Sequence, residues 1–341
     1  MIDDIVYLGI DLGSSRTSIT SSTGVRETVW SFVGYAEDHV AKKKLGGREV
    51  IYGKEAVDNR MALKLYRPLA GGTLKMRGAD SEENKRAVRD LLEHAVSLAK
   101  VPAGKTIYAV IGAPAEASVE GKAAIIEAAS GCIDSVIVCS EPFAVAYGLD
   151  HLDDTLVVDI GAGTVDLCRM HGTLPAPEDQ LTLTTAGDWL DQQLFTLFKR
   201  KAPNADFTIH HVKDIKEKFA FVSDVSEAIR VEFLVDGKPT VFDITDEIRE
   251  GCRMMVPPIV KSLHKLVSTF DPDFQKKLRD NVLVAGGGSQ LTGLDRILEQ
   301  AMREMLGSGK VTRVEEPMYA GANGALKMAH DMPEEYWTRL G

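Results

Sequence analysis

The chain has 341 residues, with 40 Lys and Arg against 50 Asp and Glu, a formal net charge of −10. That length predicts about two domains or one large two-lobed fold, and 44% hydrophobic with 26% charged residues is the composition of a folded globular chain rather than a disordered one. The acidic balance argues against nucleic acid as a main partner, because phosphate binding needs a basic face.

In chain order, the amino-terminal MIDDIVYLGID is acidic and lacks a positive n-region and an apolar h-region, so it does not read as a secretory signal. IVYLGIDL (5–12) is rich in β-formers and runs into a Gly/Ser turn. Ser81 is placed to cap a helix over 82–100, whose Val88, Leu91, Leu92, Ala95 and Ala99 keep helical spacing until Pro102. Strand TIYAVIGA (106–113), helix GKAAIIEAAS (121–130) with Gly131 as terminator, and strand DSVIVCS (134–140) follow. Further strands are expected at TLVVDIGA (155–162), AIRVEFLVDG (228–237) and NVLVAGGG (281–288). Residues 245–270 read as one long helix broken at Pro257–Pro258. Strands alternating with helices predict an α/β fold. The four cysteines (Cys132, Cys139, Cys168, Cys252) form no CxxC pair and are expected as buried small apolar residues. No apolar run approaches the roughly 18 residues of a membrane span, so a reduced, cytoplasmic chain without direct membrane insertion is expected.

An internal echo organises the sequence. Residues 9–19, GIDLGSSRTSI, and residues 157–167, VVDIGAGTVDL, share apolar-Asp-apolar-Gly-small-small. Their aspartates lie 159 − 11 = 148 positions apart, a spacing that fits duplication of a domain unit rather than a solenoid repeat.

Three Gly-rich turns follow apolar strands: Gly13-Ser14-Ser15, Gly161-Ala162-Gly163 and Gly286-Gly287-Gly288. Phosphate oxygens need close backbone approach and convergent N–H donors, which small-residue turns supply. No GxxxxGK[ST] is present, and no GxGxxG opens a helix, so neither a Walker loop nor a dinucleotide fold is indicated. Asp11 and Asp159 stand beside the first two turns. Each alone reads as a turn cap, but a matched pair of carboxylates beside phosphates suits a hydrated Mg²⁺, which keeps several waters and needs few protein ligands.

D-[IL]-G-[SA]-[SG] twice, then AGGGSQLTG, resembles the phosphate-1, phosphate-2 and adenosine motifs of the actin, Hsp70 and sugar-kinase ATPase superfamily. SEPFAVAYGLD (140–150) resembles its connecting helix, and the resemblance makes Glu141 the residue that orients the attacking water. DIKEKFAFV (214–222) resembles an actin segment whose Lys and Glu reach ribose and base, here Lys216 and Glu217. AGDWLDQQL (186–194) matches a Gly-x-x-x-Asp turn and helix that begins at Gly187. The stretches SFVGY (31–35), YGKEA (52–56), LYRPLAGG (65–72), VIGAPAEAS (110–118), GTLPAPEDQLTL (172–183) and the tail 324–341 are most similar to the magnetosome-organising branch of the bacterial actins. The cell-shape branch, MreB-type, is next nearest.

The resemblance implies an actin-like two-lobed fold with duplicated ribonuclease-H-like cores and a nucleotide cleft between them. Lobe I would comprise 1–32, 75–149 and 324–341, with a small subdomain at 33–74; lobe II would comprise 150–184 and 249–323, with a subdomain at 185–248. It implies Mg²⁺ with ATP or ADP, held by Asp11, Asp159 and Glu141 mainly through water, slow ATP hydrolysis coupled to polymerisation, and a head-to-tail filament of identical copies. Magnetosome adaptor proteins would be further partners. Arg16 departs from the uncharged polar residue or His usual in bacterial relatives, and either contacts phosphate or faces solvent. Lys42-Lys43-Lys44 is expected as a solvated turn, His210-His211 as a pair without a metal, and Trp30, Trp189 and Trp337 as packing residues. The run 320–325 suits close helix packing at a hinge. A cell-shape actin, or a small-molecule kinase on the same superfold, is the alternative.

Overall fold

The computed structural model describes residues 4–72, 74, 81–225 and 227–338. The first three residues of the amino-terminal stretch, residues 75–80 of the expected lobe I and the last three residues of the tail lie outside them.

In chain order the first part supplies strands β1 (Ile5–Leu12), β2 (Arg16–Ser21), β3 (Arg26–Trp30), β4 (Val33–Ala36), β5 (Val50–Tyr52), β6 (Leu63–Tyr66), β7 (Thr106–Ala113) and β8 (Ser135–Ser140). The second supplies β9 (Thr155–Ile160), β10 (Val165–Met170), β11 (Gln180–Leu183), β12 (Ala205–Asp206), β13 (Arg230–Val235), β14 (Lys238–Asp243), β15 (Val282–Ala285) and β16 (Val311–Arg313). Two five-stranded sheets result, ordered β3-β2-β1-β7-β8 and β11-β10-β9-β15-β16. In each, three antiparallel strands are extended by two parallel ones. The echo in the sequence is therefore a duplication of topology, with β1 and β9 as equivalent central strands. Both carry apolar runs rather than alternation, because a central strand covered on both faces needs apolar residues on each. Two three-stranded sheets, β5-β4-β6 and β12-β13-β14, stand apart.

Each half has its own core. One is built around Leu8, Ile10, Leu91, Leu92 and Ile111, the other around Val158, Ile160, Phe198, Ile259 and Leu263. A third cluster, with Val110, Phe143, Val157, Leu283, Ala325 and Trp337, joins them. Its centre is the crossing of the helices Glu141–Gly148 and Ala320–Asp331. A Cβ on Gly324 would stand 1.8 Å from the Ala144 carbonyl oxygen, and one on Gly9 would stand 2.1 Å from that of Ala322. The small-residue run at 320–325 thus lets backbone pack directly on backbone at the junction of the halves.

Four local expectations need correction. The break in 245–270 falls before the prolines: one helix ends at Arg253, and Pro257 and Pro258 lie in the first turn of Val256–Ser268. First-turn N–H groups have no intrahelical acceptor, so proline loses nothing there. Gly131 is not a left-handed terminator, since the helix Val119–Ala129 ends on Ser130 in right-handed conformation. The strand expected to run through Gly237 ends at Val235, and Asp236 (φ 50°) with Gly237 (φ 74°) forms a two-residue hairpin turn into β14. Of the four cysteines, Cys168 and Cys252 are buried, whereas Cys132 and Cys139 are only part-buried. Among the described residues, no helix is long and apolar enough to cross a membrane.

Candidate nucleotide cleft

Asp11 is the penultimate residue of β1 and Asp159 that of β9. Behind each, the chain reverses into an antiparallel partner, so Asp11 faces Ser18 in register and Asp159 faces Asp166. The small residues at 13–15 and 161–163 are required by proximity. A Cβ on Gly163 would stand 2.2 Å from Ser14 Oγ and 2.5 Å from the Gly72 nitrogen, so the two equivalent turns meet across the space between the halves. Gly286, at φ +74°, follows β15, and a Cβ there would lie 2.2 Å from Asp159 Oδ1. Only a residue without a side chain brings the third turn this close to the carboxylate.

The sixteen residues singled out in the sequence all line one cleft of about 390 Å³: Asp11, Gly13, Ser14, Ser15, Arg16, Glu141, Asp159, Gly161, Ala162, Gly163, Gly187, Lys216, Glu217, Gly286, Gly287 and Gly288. Glu141 opens its helix directly after β8. Gly187 opens another and is tied to the second turn by Gly187 N–H to the Gly161 oxygen (3.1 Å) and Asp188 N–H to the Ala162 oxygen (2.7 Å). Lys216, on the helix Ile209–Phe219, donates to the Gly187 oxygen at 2.9 Å and pairs with Asp191 at 2.7 Å. Arg16, whose side chain is part-exposed, lines the cleft. It crosses the cleft and pairs with Glu217 at 3.0 Å.

The floor is acidic. Burial, then the charges of Asp11, Asp166 and Asp159, hold the Glu141 carboxyl well above its ordinary range. Asp159 is raised by burial and by Asp11 and Asp166. Asp11 is pushed up to about 6 by burial and Asp166. Carboxylates that burial and mutual repulsion press toward protonation are a site for a hard cation. Among the described residues, no three His, Cys, Asp or Glu side chains converge tightly enough to hold a metal directly; the all-oxygen donors of Asp11, Asp159 and Glu141 are of the kind a hard cation takes.

Three residues escaped the sequence reading. Asp166 is 1% exposed, and its Oδ1 accepts from the Ala115 N–H (2.7 Å) and Thr182 Oγ1 (2.6 Å). The seven-residue spacing from Asp159 signals it only once the register of the β-hairpin is known. Lys213 donates to Ser15 Oγ at 2.6 Å from the opposite half. Arg67 donates to the Ser14 oxygen (2.7 Å) and pairs with Asp188 (2.8 Å). Trp30, expected as packing, lies beside these groups with Lys213 Nζ 5.2 Å from its ring centroid; Trp337 is buried and stacked on Tyr108, and Trp189 packs against the second core. His210 and His211 open the helix Ile209–Phe219, and Lys42–Lys44 end a short helix in which Lys42 pairs with Glu49.

The MreB/Mbl protein family matches residues 6–336. The chain is 39% identical over 336 residues to the actin-like protein MamK of Magnetospirillum gryphiswaldense, covering 98% of this chain and 92% of that one. Among solved structures, a MamK double helical filament superposes with a TM-score of 0.92 at 38% identity, covering 96% of this chain and all of the other. A non-polymerising MamK mutant bound to AMPPNP superposes at 0.73, again at 38% identity, covering 96% and 99%. The fold is actin-like, and the chain belongs to the MreB/Mbl family of actin-like proteins.

Proposed function

We propose that this protein binds Mg-ATP between its halves, assembles head-to-tail into filaments and hydrolyses ATP slowly to limit their lifetime. The observation that carries the reading is that two equivalent strand-turn-strand units face each other across one cleft whose floor is three buried or part-buried carboxylates. The MamK structures support it: one is a filament and one holds AMPPNP.

In this reading the backbone of Gly13–Arg16 holds the β-phosphate and that of Gly161–Gly163 the γ-phosphate. Gly286–Gly288 and Gly187 border the adenosine, with Lys216 and Glu217 at ribose and base. Asp11, Asp159 and Glu141 hold Mg²⁺ mainly through its waters. When bound, the ion supplies charge neutralisation at the phosphates. Glu141 orients the attacking water in line with the γ-phosphate, and its raised affinity for a proton suits transient acceptance of one. An interface between unlike faces that does not close yields an open polymer, and loss of the γ-phosphate would weaken the assembled angle between the halves.

The subdomain division proposed from the sequence (1–32, 75–149 and 324–341; 33–74; 150–184 and 249–323; 185–248) accounts for the four separate sheets. Placement in the cytoplasm alongside magnetosomes, with adaptor proteins as partners, is proposed on the resemblance of the sequence to the magnetosome-organising actins and not on any residue in the cleft. The test is Glu141→Ala. Phosphate release should fall about 100-fold or more, while ATP-dependent sedimentation of polymer persists. Loss of ATP binding in that variant would remove Glu141 from the catalytic role.

A further inference from the structure

At the rim of the cleft, side chains from both halves form a cluster in which the hydrolytic reading gives a role only to Glu217 and none to the side chains of Arg16, Lys213 and Trp30. Arg16, the first residue of β2, donates to Glu217 Oε2 at 3.0 Å. Lys213, one helical turn before Glu217, donates to Ser15 Oγ at 2.6 Å and lies 3.9 Å from Glu217 Oε1. Trp30, the last residue of β3, braces both cations, with Lys213 Nζ 5.2 Å and Arg16 Cζ 5.9 Å from its ring centroid. The side chains of Arg16 and Glu217 are 32% and 36% exposed, whereas Glu141 and Asp159 are 9% and 7% exposed. The cluster is therefore the outer boundary of the cleft and the carboxylates its floor.

Three of these contacts join opposite halves: Arg16 to Glu217, Lys213 to Ser15, and Lys213 over the Trp30 ring. Arg16, Ser15 and Trp30 ride on the first sheet, and Lys213 and Glu217 on the helix Ile209–Phe219 of the other half. Arg16, Ser15, Lys213 and Glu217 all line the cleft. A ligand passing this rim must part them. Arg16 is also already committed: its guanidinium is held by Glu217, in contact with the Met318 sulfur at 4.0 Å, and beside the indole.

We propose that Arg16, Lys213 and Glu217, braced by Trp30, form a charged strap between the halves that gates the passage of nucleotide. The Arg16 side chain is in this account a gate and not a phosphate ligand, while its backbone stays in the first turn. The proposal rests on the nucleotide reading above. A gate raises the barrier for entry and exit alike, so removing it accelerates both and leaves their ratio nearly unchanged. A phosphate ligand behaves differently: its loss speeds exit alone, weakens affinity, and does so more for the triphosphate than for the diphosphate. Partly exposed ion pairs and cation–π contacts of this kind correspond to about 3- to 10-fold in rate. They are also screened by salt.

The experiment is stopped-flow binding and release of mant-ADP and mant-ATP by wild type, Arg16→Gln and Lys213→Gln, at about 50 mM and about 500 mM KCl. The strap predicts association and dissociation rates both raised about 3- to 10-fold in each variant, with dissociation constants within about twofold for both nucleotides. Salt should accelerate the wild type toward the variants and move the variants little. Faster dissociation alone, larger for mant-ATP, would overturn the gate and make Arg16 a phosphate ligand. Unchanged rates in both variants would also overturn it. Failure of the wild type to bind either nucleotide would instead overturn the nucleotide reading, and the strap with it.

Discussion

Replacing Asp11 by Asn should stabilise the empty protein and weaken its response to Mg-nucleotide. The Asp11 carboxyl is pushed from 3.8 up to about 6, by burial first and by Asp166 second, with no hydrogen bond among the causes. A pKa raised on folding contributes stability that is complete below the unfolded value near 3.8 and is lost as pH rises through about 6. A shift of about two units corresponds to about 3 kcal/mol that the empty protein has forfeited at neutral pH. Asn carries no charge at any pH and recovers most of that difference. Thermal unfolding without nucleotide should therefore give a melting temperature about 5 °C above wild type at about pH 8, shrinking to about half of that at about pH 5 and vanishing below about pH 3.8. Mg-ATP should raise the wild-type melting temperature and raise that of Asp11→Asn far less, because the cation that offsets the floor's repulsion has lost a partner. A variant that melts below wild type at pH 8, or whose shift is equal at both pH values, would refute the argument that the acidic floor is held strained for a cation.

Other sites carry equally direct expectations. Gly324→Ala sets a Cβ against the Ala144 oxygen, 1.8 Å away without adjustment, so the two junction helices must separate; a loss of about 3 kcal/mol or more is expected by urea unfolding. Arg169→Met leaves Asp179 buried without its cation partner and removes a donor to the Leu266 oxygen at 2.7 Å, at a cost of about 3–5 kcal/mol. The Asp179 carboxyl is held below its ordinary range despite burial, by hydrogen bonds from His171, the Ala176 N–H and Arg169 and by the Arg169 charge. Its contribution is present above pH 3.8 and lost as pH falls through the lower folded value, so wild type should lose stability in acid more steeply than Arg169→Met.

The duplicated turns could be read in the sequence because each needs an unusual local composition: an apolar strand ending in Asp and then residues small enough for backbone approach. The helix junction was legible for the same reason, since a run of Gly and Ala at 320–325 has few other uses. What stayed hidden depends on register or on long-range pairing. Asp166 stands where the first unit has Ser18, so the echo fails at the position that sets a further buried carboxylate behind the floor. Arg16 finds its partner 201 residues away, and Trp30 meets Lys213 from the other half, neither of which has a local signature. The helix break near Pro257 was misplaced because proline forbids a helix interior but is welcome in a first turn, and sequence alone does not say which turn it occupies.

The central claim is that nucleotide in this cleft drives assembly. Right-angle light scattering and phosphate release should be followed together after adding Mg-ATP to the purified protein over a range of concentrations, with negative-stain imaging of the same samples. The account predicts a threshold concentration above which scattering rises, phosphate release follows it, and filaments are seen. A solution that stays clear and monomeric at every concentration, with phosphate transfer appearing only when a small-molecule acceptor is added, would contradict it and identify a kinase on the same fold.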